Sequence, residues 1–452
     1  MKNIKVLVPS GVLGLGFDLE ALKVGIKNKP DIISIDGGST DSGPASLGSG
    51  TSKYSRAAIK SEWKVLMKAR EELCVPLVIG SCGTCGTNSM VNWMEEITIE
   101  LAKELGQSLK VAKLYCEQDK EFIKKNFLSN KIHPLDPAPF LDSKAIMNMS
   151  HIVALAGAEQ IQEALKTGAD IILAGRTTDT AIISALPLMK GANPGSVWHG
   201  AKIAECGALC SSIPTSGVVM VEFDDIGFTV EPMSEKAICT PESVSAHMLY
   251  ENADPYILYE PGGYMDVTNA HYSSLHNRKV RVEGAIWKAS ENYTVKLEGA
   301  NVSGYQSSLL VLLRDENYVT HAEEWTSKLS SFLKNEINNR MGLASNDFSL
   351  EFRHIGLNAT LGDLEKKTGT PVEIGVLCTV TANNNDTSTE IAKLINPFLL
   401  HFPLTLNEEL PTFAFPYSPV HSDRGCVYEF ALNHILELSD PMSAFQINTL
   451  DI

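Results

Sequence analysis

The sequence predicts an α/β protein: an N-terminal doubly wound, mostly parallel sheet, then a β-rich insertion or second domain, and a small C-terminal α+β domain. Three observations lead there. Short β-branched runs bounded by Gly or polar turns recur through the first 200 residues, and helix-period segments lie between them. After Cys206 the chain changes to strand-like runs interrupted by prolines. At 452 residues it also exceeds the size at which one hydrophobic core keeps growing.

The β-branched runs are Ile4 to Val8, Asp31 to Ile35, Leu77 to Gly80, Leu109 to Tyr115, His151 to Leu155 and Asp170 to Ala174. They are continuously apolar rather than alternating, the pattern of strands buried on both faces of a parallel sheet. The clearest helical segments are Phe17 to Ile26, Ser55 to Glu72, Met90 to Leu105 and Glu159 to Thr167. These assign residues 1–205 to the α/β domain. From Ser212 onward VVMVEF, KVRVEGAIW and YTVKLEGA read as twisted antiparallel strands, with Pro214, Pro232, Pro241, Pro255 and Pro261 blocking long helices. Residues 206–305 are therefore expected to form a β-rich segment that completes the site. In the C-terminal domain, 306–452, the patterns predict helices over His321 to Arg340, Thr387 to Leu400 and Tyr428 to Leu436, with EFRHIGL and VEIGVLCTVTA as strands. No internal repeat or low-complexity tract is visible.

Composition excludes several function classes. The formal net charge of −16 and pI near 5.2 argue against a nucleic-acid or anionic-membrane surface. No window carries the roughly 20 consecutive apolar residues a spanning helix needs, and no basic-then-apolar leader opens the chain. Nine scattered cysteines lack the density of a secreted disulfide scaffold, so the reducing cytoplasm is the expected compartment.

The chemistry-bearing stretch is Ile35 to Ser52, which follows directly on an apolar run. Asp36, Gly37, Gly38, Ser39, Thr40, Asp41, Ser42 and Gly43 make a loop rich in backbone N–H groups, hydroxyls and carboxylates at a strand's carboxyl end, where open α/β sheets bind ligands. A second such loop, with Ser81, Gly83, Thr84 and Gly86, follows PLVIG, and a third, with Arg176, Thr177 and Asp179, follows DIILA. Three loops of one kind predict one pocket for a small anionic or acyl ligand. Arg176 could clamp its carboxylate or phosphate, or pair with Asp179 to hold the loop. Lys296 and Glu298, two apart on a strand, project from one face and could exchange a proton next to a carbonyl, or stand as a solvated charge pair.

Other motifs leave alternatives open. Gly11 to Gly16 follows a strand and precedes a helix, with Asp36 about 20 residues on, as a dinucleotide fingerprint would, but the spacing is G-x-x-G-x-G. A tight strand-to-helix turn is the better reading of it. Cys82 and Cys85 are spaced for redox or metal chemistry and also for a tight turn; Cys206 and Cys210 are the other close pair. His271, His276 and His421 show no metal-ligand spacing, so no metal site is expected, and the sequence identifies no cofactor. Neither a G-x-S-x-G elbow nor a P-loop is present.

The segments STDSGPASLGSG, GSCGTCGTNSMVNW, GADIILAGRTTDTAI, KIAECGA, LYEPGGYMD, NRKVRVEGA and YTVKLEGA together resemble the acyclic terpene utilisation AtuA-like family. The resemblance implies a cytoplasmic enzyme encoded beside catabolic genes for terpenoids, branched acids or acyl-CoA thioesters, with a small partner subunit similar to the C-terminal region of longer relatives. Relatives carry small residues where Cys82 and Cys85 stand, so it lends no cluster or redox site there. SPVHSDRGCVYEF departs from the family's RSGDKG-type loop, and no role passes to Asp423 or Arg424.

The expectation is thus a homo-oligomeric lyase or hydratase for a small carboxylate or acyl thioester. The loops would hold the anion, Arg176 would fix it, and Asp41, Glu298 or Lys296 would exchange the proton. The alternatives are an NAD(P)-dependent oxidoreductase using Gly11 to Gly16, and a non-catalytic binding subunit of a hetero-oligomer.

Overall fold

The computed structural model describes residues 3–367 and 369–452. In chain order the strands are β1 (Ile4–Val8), β2 (Ile32–Asp36), β3 (Leu77–Gly80), β4 (Lys110–Tyr115), β5 (Ile132–Pro134), β6 (His151–Ala154), β7 (Ile171–Ala174), β8 (Val219–Phe223), β9 (Gly227–Pro232) and β10 (Ile257–Glu260). They continue as β11 (Gly263–Asp266), β12 (His271–His276), β13 (Lys279–Glu283), β14 (Ile286–Ala289), β15 (Tyr293–Leu313), β16 (Phe348–Ile355), β17 (Ile374–Ala382), β18 (His421–Leu438) and β19 (Gln446–Asp451). The chain forms two compact units, one running to Asn301 and resuming over Glu429–Ile452, the other Val302–Tyr428.

Among the described residues of the first unit, ten strands make one mixed sheet in the order β12-β13-β9-β8-β1-β2-β3-β7-β4-β19. The middle, β1-β2-β3-β7-β4, is parallel. Antiparallel strands extend it at both edges, β8, β9, β13 and β12 on one side and β19 on the other.

Successive residues of the parallel strands serve opposite cores. Val6, Ile32, Val78, Ala112 and Ile172 face the helices Ala158–Lys166, Ala181–Met189 and Pro194–Ala204. Leu7, Ile33, Ile79, Val111 and Leu173 face Leu19–Lys27, Arg56–Leu73 and Asn88–Leu105. Burial on both faces explains why these strands read as unbroken apolar runs. Helix ends follow local chemistry. Asp18 caps Leu19–Lys27 by accepting from the N–H groups of Glu20 and Ala21, Asn193 and Pro194 open Pro194–Ala204, and Gly106 closes Asn88–Leu105 in the left-handed region.

Two sequence expectations change. β6 lies outside the parallel sheet and pairs antiparallel with the start of β15, Glu298 opposite Val153. Tyr428 to Leu436, expected as a helix, belongs to strand β18. Leu432, His434, Leu436 and Leu438 are buried at a spacing of two, and His434 pairs with Pro134. The apolar residues of YEFALNHILEL satisfy helical spacing as well, and pairing with β5 decides between the two periods.

In the second unit, the end of β15 pairs antiparallel with β17, and β17 with β16. Helices Ala322–Met341 and Asn385–His401 cover them around Trp325, Leu329, Leu333, Ile391, Ile395 and Leu399.

Candidate functional site

The parallel strands all end at one edge of the sheet, so the loops after β1, β2, β3 and β7 meet there. Gly37 must be glycine at this crossing: its N–H donates to the Gly80 carbonyl at 2.8 Å, and a Cβ would lie 2.5 Å from the Ser81 carbonyl oxygen. Gly86 has φ +64°, and a Cβ there would stand 2.1 Å from the Arg176 backbone nitrogen.

At the centre is Arg176, 5% exposed. Its Nε donates to Glu298 Oε2 at 3.1 Å and its Nη2 to Glu298 Oε1 at 3.4 Å, while Nη1 reaches Ser81 Oγ at 3.1 Å and Nη2 also reaches Thr40 Oγ1 at 3.3 Å. Thr40 Oγ1 in turn donates to Glu298 Oε2 at 3.1 Å. Backbone pairing brings the sequence-distant Glu298 here. It pairs with Val153 across β6, and three residues on, the Ala156 N–H donates to the Arg176 carbonyl at 2.9 Å. Arg176 and the neighbouring Lys296 hold the Glu298 carboxyl at about 2 against the opposing effect of burial. The guanidinium thus ties the loops bearing Thr40 and Ser81 to Glu298 on β15. Arg176 pairs with Glu298 rather than with Asp179.

Two cavities flank this tie. The first, about 420 Å³, is lined by Ser10, Gly11, Val12, Asp36, Ser39, Asp41, Asp179, Cys206, Tyr250 and Glu251 among others. Two of its carboxylates, Asp36 and Asp179, are held above their usual range. Burial, then the Asp179 charge, pushes Asp36 well up, opposed by Arg176; Asp36 Oδ2 accepts the Gly38 N–H at 2.8 Å, and Oδ1 is buried without a partner. Burial raises Asp179 to about 6, with Arg176 opposing and Asp41 adding to the rise. Behind them Glu260, which accepts from the Thr180 hydroxyl, is raised to about 7 by burial, with Asp179 adding. Burial and the neighbouring negative charge thus make Asp36, Asp179 and Glu260 all easier to protonate than free carboxyls.

The second cavity, about 340 Å³, is lined by Thr40, Asp41, Lys296 and Glu298 against Pro137, Pro139, Phe430, Leu432 and Asn433. Lys296 Nζ stands 3.3 Å from Glu298 Oε1 and keeps a side-chain exposure of 43%. Asp41 lines both cavities, and its carboxylate accepts the Ser39 hydroxyl at 2.7 Å.

The structure therefore places Asp36, Ser39, Asp41 and Asp179 on one cavity, and Thr40, Asp41, Lys296 and Glu298 on the other. Gly38 and Gly43 form the turns between, and Ser42 accepts from Lys53 Nζ at 3.1 Å. Ser81, Gly83, Thr84, Gly86 and Thr177 are buried framework beneath them. Cys82 and Cys85 are buried as well, and burial raises both thiols, the opposite of the lowered pKa redox chemistry requires. At Gly11 to Gly16 the Gly14 N–H donates to Glu62 Oε2 at 2.7 Å, so a carboxylate of the chain stands where a pyrophosphate would be held.

Sequence reasoning missed Lys202, Glu205, His247, Tyr250, Glu251 and Glu260. Lys202 and Glu205 are buried and paired, and burial raises Glu205 to about 8. Lys, Glu and Cys at i, i+3 and i+4 in KIAEC, on one face at a helix's end, were the signal available.

This is an α/β chain with an acidic cavity at the carboxyl ends of parallel strands. The family model described as "Acyclic terpene utilisation family protein AtuA" matches residues 48–191 and 199–413, and the chain belongs to that family. Membership places it in acyclic terpene utilisation. No curated protein and no solved structure matches it. Among the described residues no helix is long and apolar enough to cross a membrane.

Proposed function

We propose that the chain is a cytoplasmic lyase or hydratase acting on an acyclic terpenoid carboxylate or acyl thioester. The observation that carries this reading is that Asp41 lines both an acid-lined cavity and one with apolar walls and a lysine. Pro137, Pro139, Phe430 and Leu432 suit a branched hydrocarbon, and Lys296 suits the carboxylate or thioester carbonyl at its end. Asp36 and Asp179, both held above the usual carboxylate range by burial, serve as the acid and base pair. In hydration, one takes a proton from water as the oxygen bonds to the β-carbon, and the other delivers a proton to the α-carbon; elimination runs the same transfers backward. Arg176 serves as the tie that positions Thr40 and Glu298, since its donors are already engaged.

A nicotinamide reading loses support at Gly11 to Gly16, where Glu62 accepts the loop N–H and Asp18 caps the following helix. The test is a panel of acyclic terpenoid acids and their CoA thioesters with wild type, Asp179→Asn and Lys296→Ala. Turnover lost by about 10²-fold or more in Asp179→Asn, with KM raised in Lys296→Ala, supports the reading. Full activity in both variants removes it.

A further inference from the structure

Where the helix Pro194–Ala204 ends, Glu205 and Cys206 meet His247, which starts a short 3₁₀ turn. A carboxylate oxygen of Glu205, the Cys206 sulfur and a ring nitrogen of His247 all lie within 4.8 Å of one another. Carboxylate, thiolate and imidazole are the ligand types of zinc-class ions. Ligands about 2.0–2.3 Å from a tetrahedral ion stand roughly 3.3–3.8 Å apart, so small side-chain adjustments close the set. We propose that Glu205, Cys206 and His247 bind one divalent zinc-class ion, with Cys206 opening the site to the strand-end cavity. Nothing in the lyase or hydratase reading requires it.

A second, independent observation points to a ligand. His247 is 5% exposed and its Nε2 is buried with no hydrogen-bond partner, a cost of about 1–3 kcal/mol for an unsatisfied polar group. Its ring is held face to face with Tyr250 at 5.4 Å and 12°, fixing the direction of its nitrogens. Lys202 Nζ donates to Glu205 Oε1, leaving the second oxygen for an ion, and also to the Tyr250 carbonyl at 2.9 Å. The lysine thus holds the Glu205 carboxylate in place through the oxygen an ion would not take. Cys206, Asp179 and Glu251 line the same cavity, so two further carboxylates balance the charge an ion would add. Binding would displace the thiol proton to solvent, and three protein ligands would leave one coordination position facing the cavity.

The test uses the full chain, stripped with chelator and titrated with Zn²⁺ and, in parallel, Co²⁺. The expected result is about one ion per chain and, with Co²⁺, a near-ultraviolet thiolate-to-metal charge-transfer band. Cys206→Ser abolishes the band, and His247→Ala weakens binding by more than the roughly 10–100-fold that outer-shell losses cost. Failure of wild type to bind a stoichiometric ion, or a Co²⁺ spectrum without the thiolate band, overturns the proposal whatever the variants do. Retained binding in a folded Cys206→Ser protein overturns it too. These readouts involve no turnover, so they stand or fall apart from the proposed reaction.

Discussion

Arg176 and Glu298, 122 positions apart, meet side by side through Nε to Oε2 at 3.1 Å and Nη2 to Oε1 at 3.4 Å, with both side chains no more than 7% exposed. The pair fastens the start of β15 to the loop after β7, and through Thr40 it fixes the loop after β2. It is the hinge pin of the candidate site.

Removing one partner leaves a buried charge uncompensated. Arg176→Ala is expected to destabilise by about 3–5 kcal/mol, measured by urea denaturation. The double variant Arg176→Met, Glu298→Leu should be more stable than Arg176→Ala, because no lone charge remains. If the single variant costs no more than a surface ion pair, the tie is not holding the loops.

The raised carboxyls make stability depend on pH in a definite direction. Asp179 titrates at about 6 in the fold, against an ordinary value of 3.8. The folded chain therefore binds the proton more tightly than the unfolded one, and this group's contribution to stability is lost as pH rises from about 4 to about 6. Burial raises Asp36 in the same sense. Asp179→Asn should stabilise the protein at pH 7 by about 1–2 kcal/mol while removing activity. Thermal melts of both proteins at pH 4.5 and pH 7 check this: the gap must widen at the higher pH.

Gly86→Ala tests the close crossing of two strand-end loops. The added methyl meets the Arg176 backbone at 2.1 Å in a left-handed conformation. A loss of about 2 kcal/mol or more is expected. Gly168→Ala, also left-handed at φ +72° but with open space around it, should cost about 1 kcal/mol.

Adding NAD or NADP should leave the melting temperature unchanged, because Glu62 holds the Gly14 N–H. A rise of several degrees with either, and none with terpenoid acyl thioesters, would move the function to the oxidoreductase class.

The strand-end loops were legible in the sequence because their causes are local. An unbroken apolar run means burial on both faces, and Gly37, Gly38 and Gly86 mark crossings where side chains do not fit. Asp36, Asp41 and Asp179 were found this way. The pairing of Arg176 with Glu298 was not, because it depends on β6 leaving the parallel sheet to join β15. Glu260, at the end of β10, and His247, at the start of a short 3₁₀ turn, were hidden for a similar reason: only the tertiary fold buries each beside other charges. Period alone read Tyr428 to Leu436 as a helix, and pairing with a three-residue strand, Ile132–Pro134, makes it a strand instead.

In the proposed reaction the strand-end carboxylates exchange a proton with a terpenoid carbon. Its most direct measurement is deuterium incorporation from D₂O into an unsaturated acyclic terpenoid acyl thioester, followed by mass spectrometry with wild type and Asp179→Asn. Wild type is expected to fix one solvent deuteron at the carbon next to the carbonyl, with exchange slowed by about 10²-fold or more in the variant. Undiminished exchange in a folded Asp179→Asn protein would contradict it.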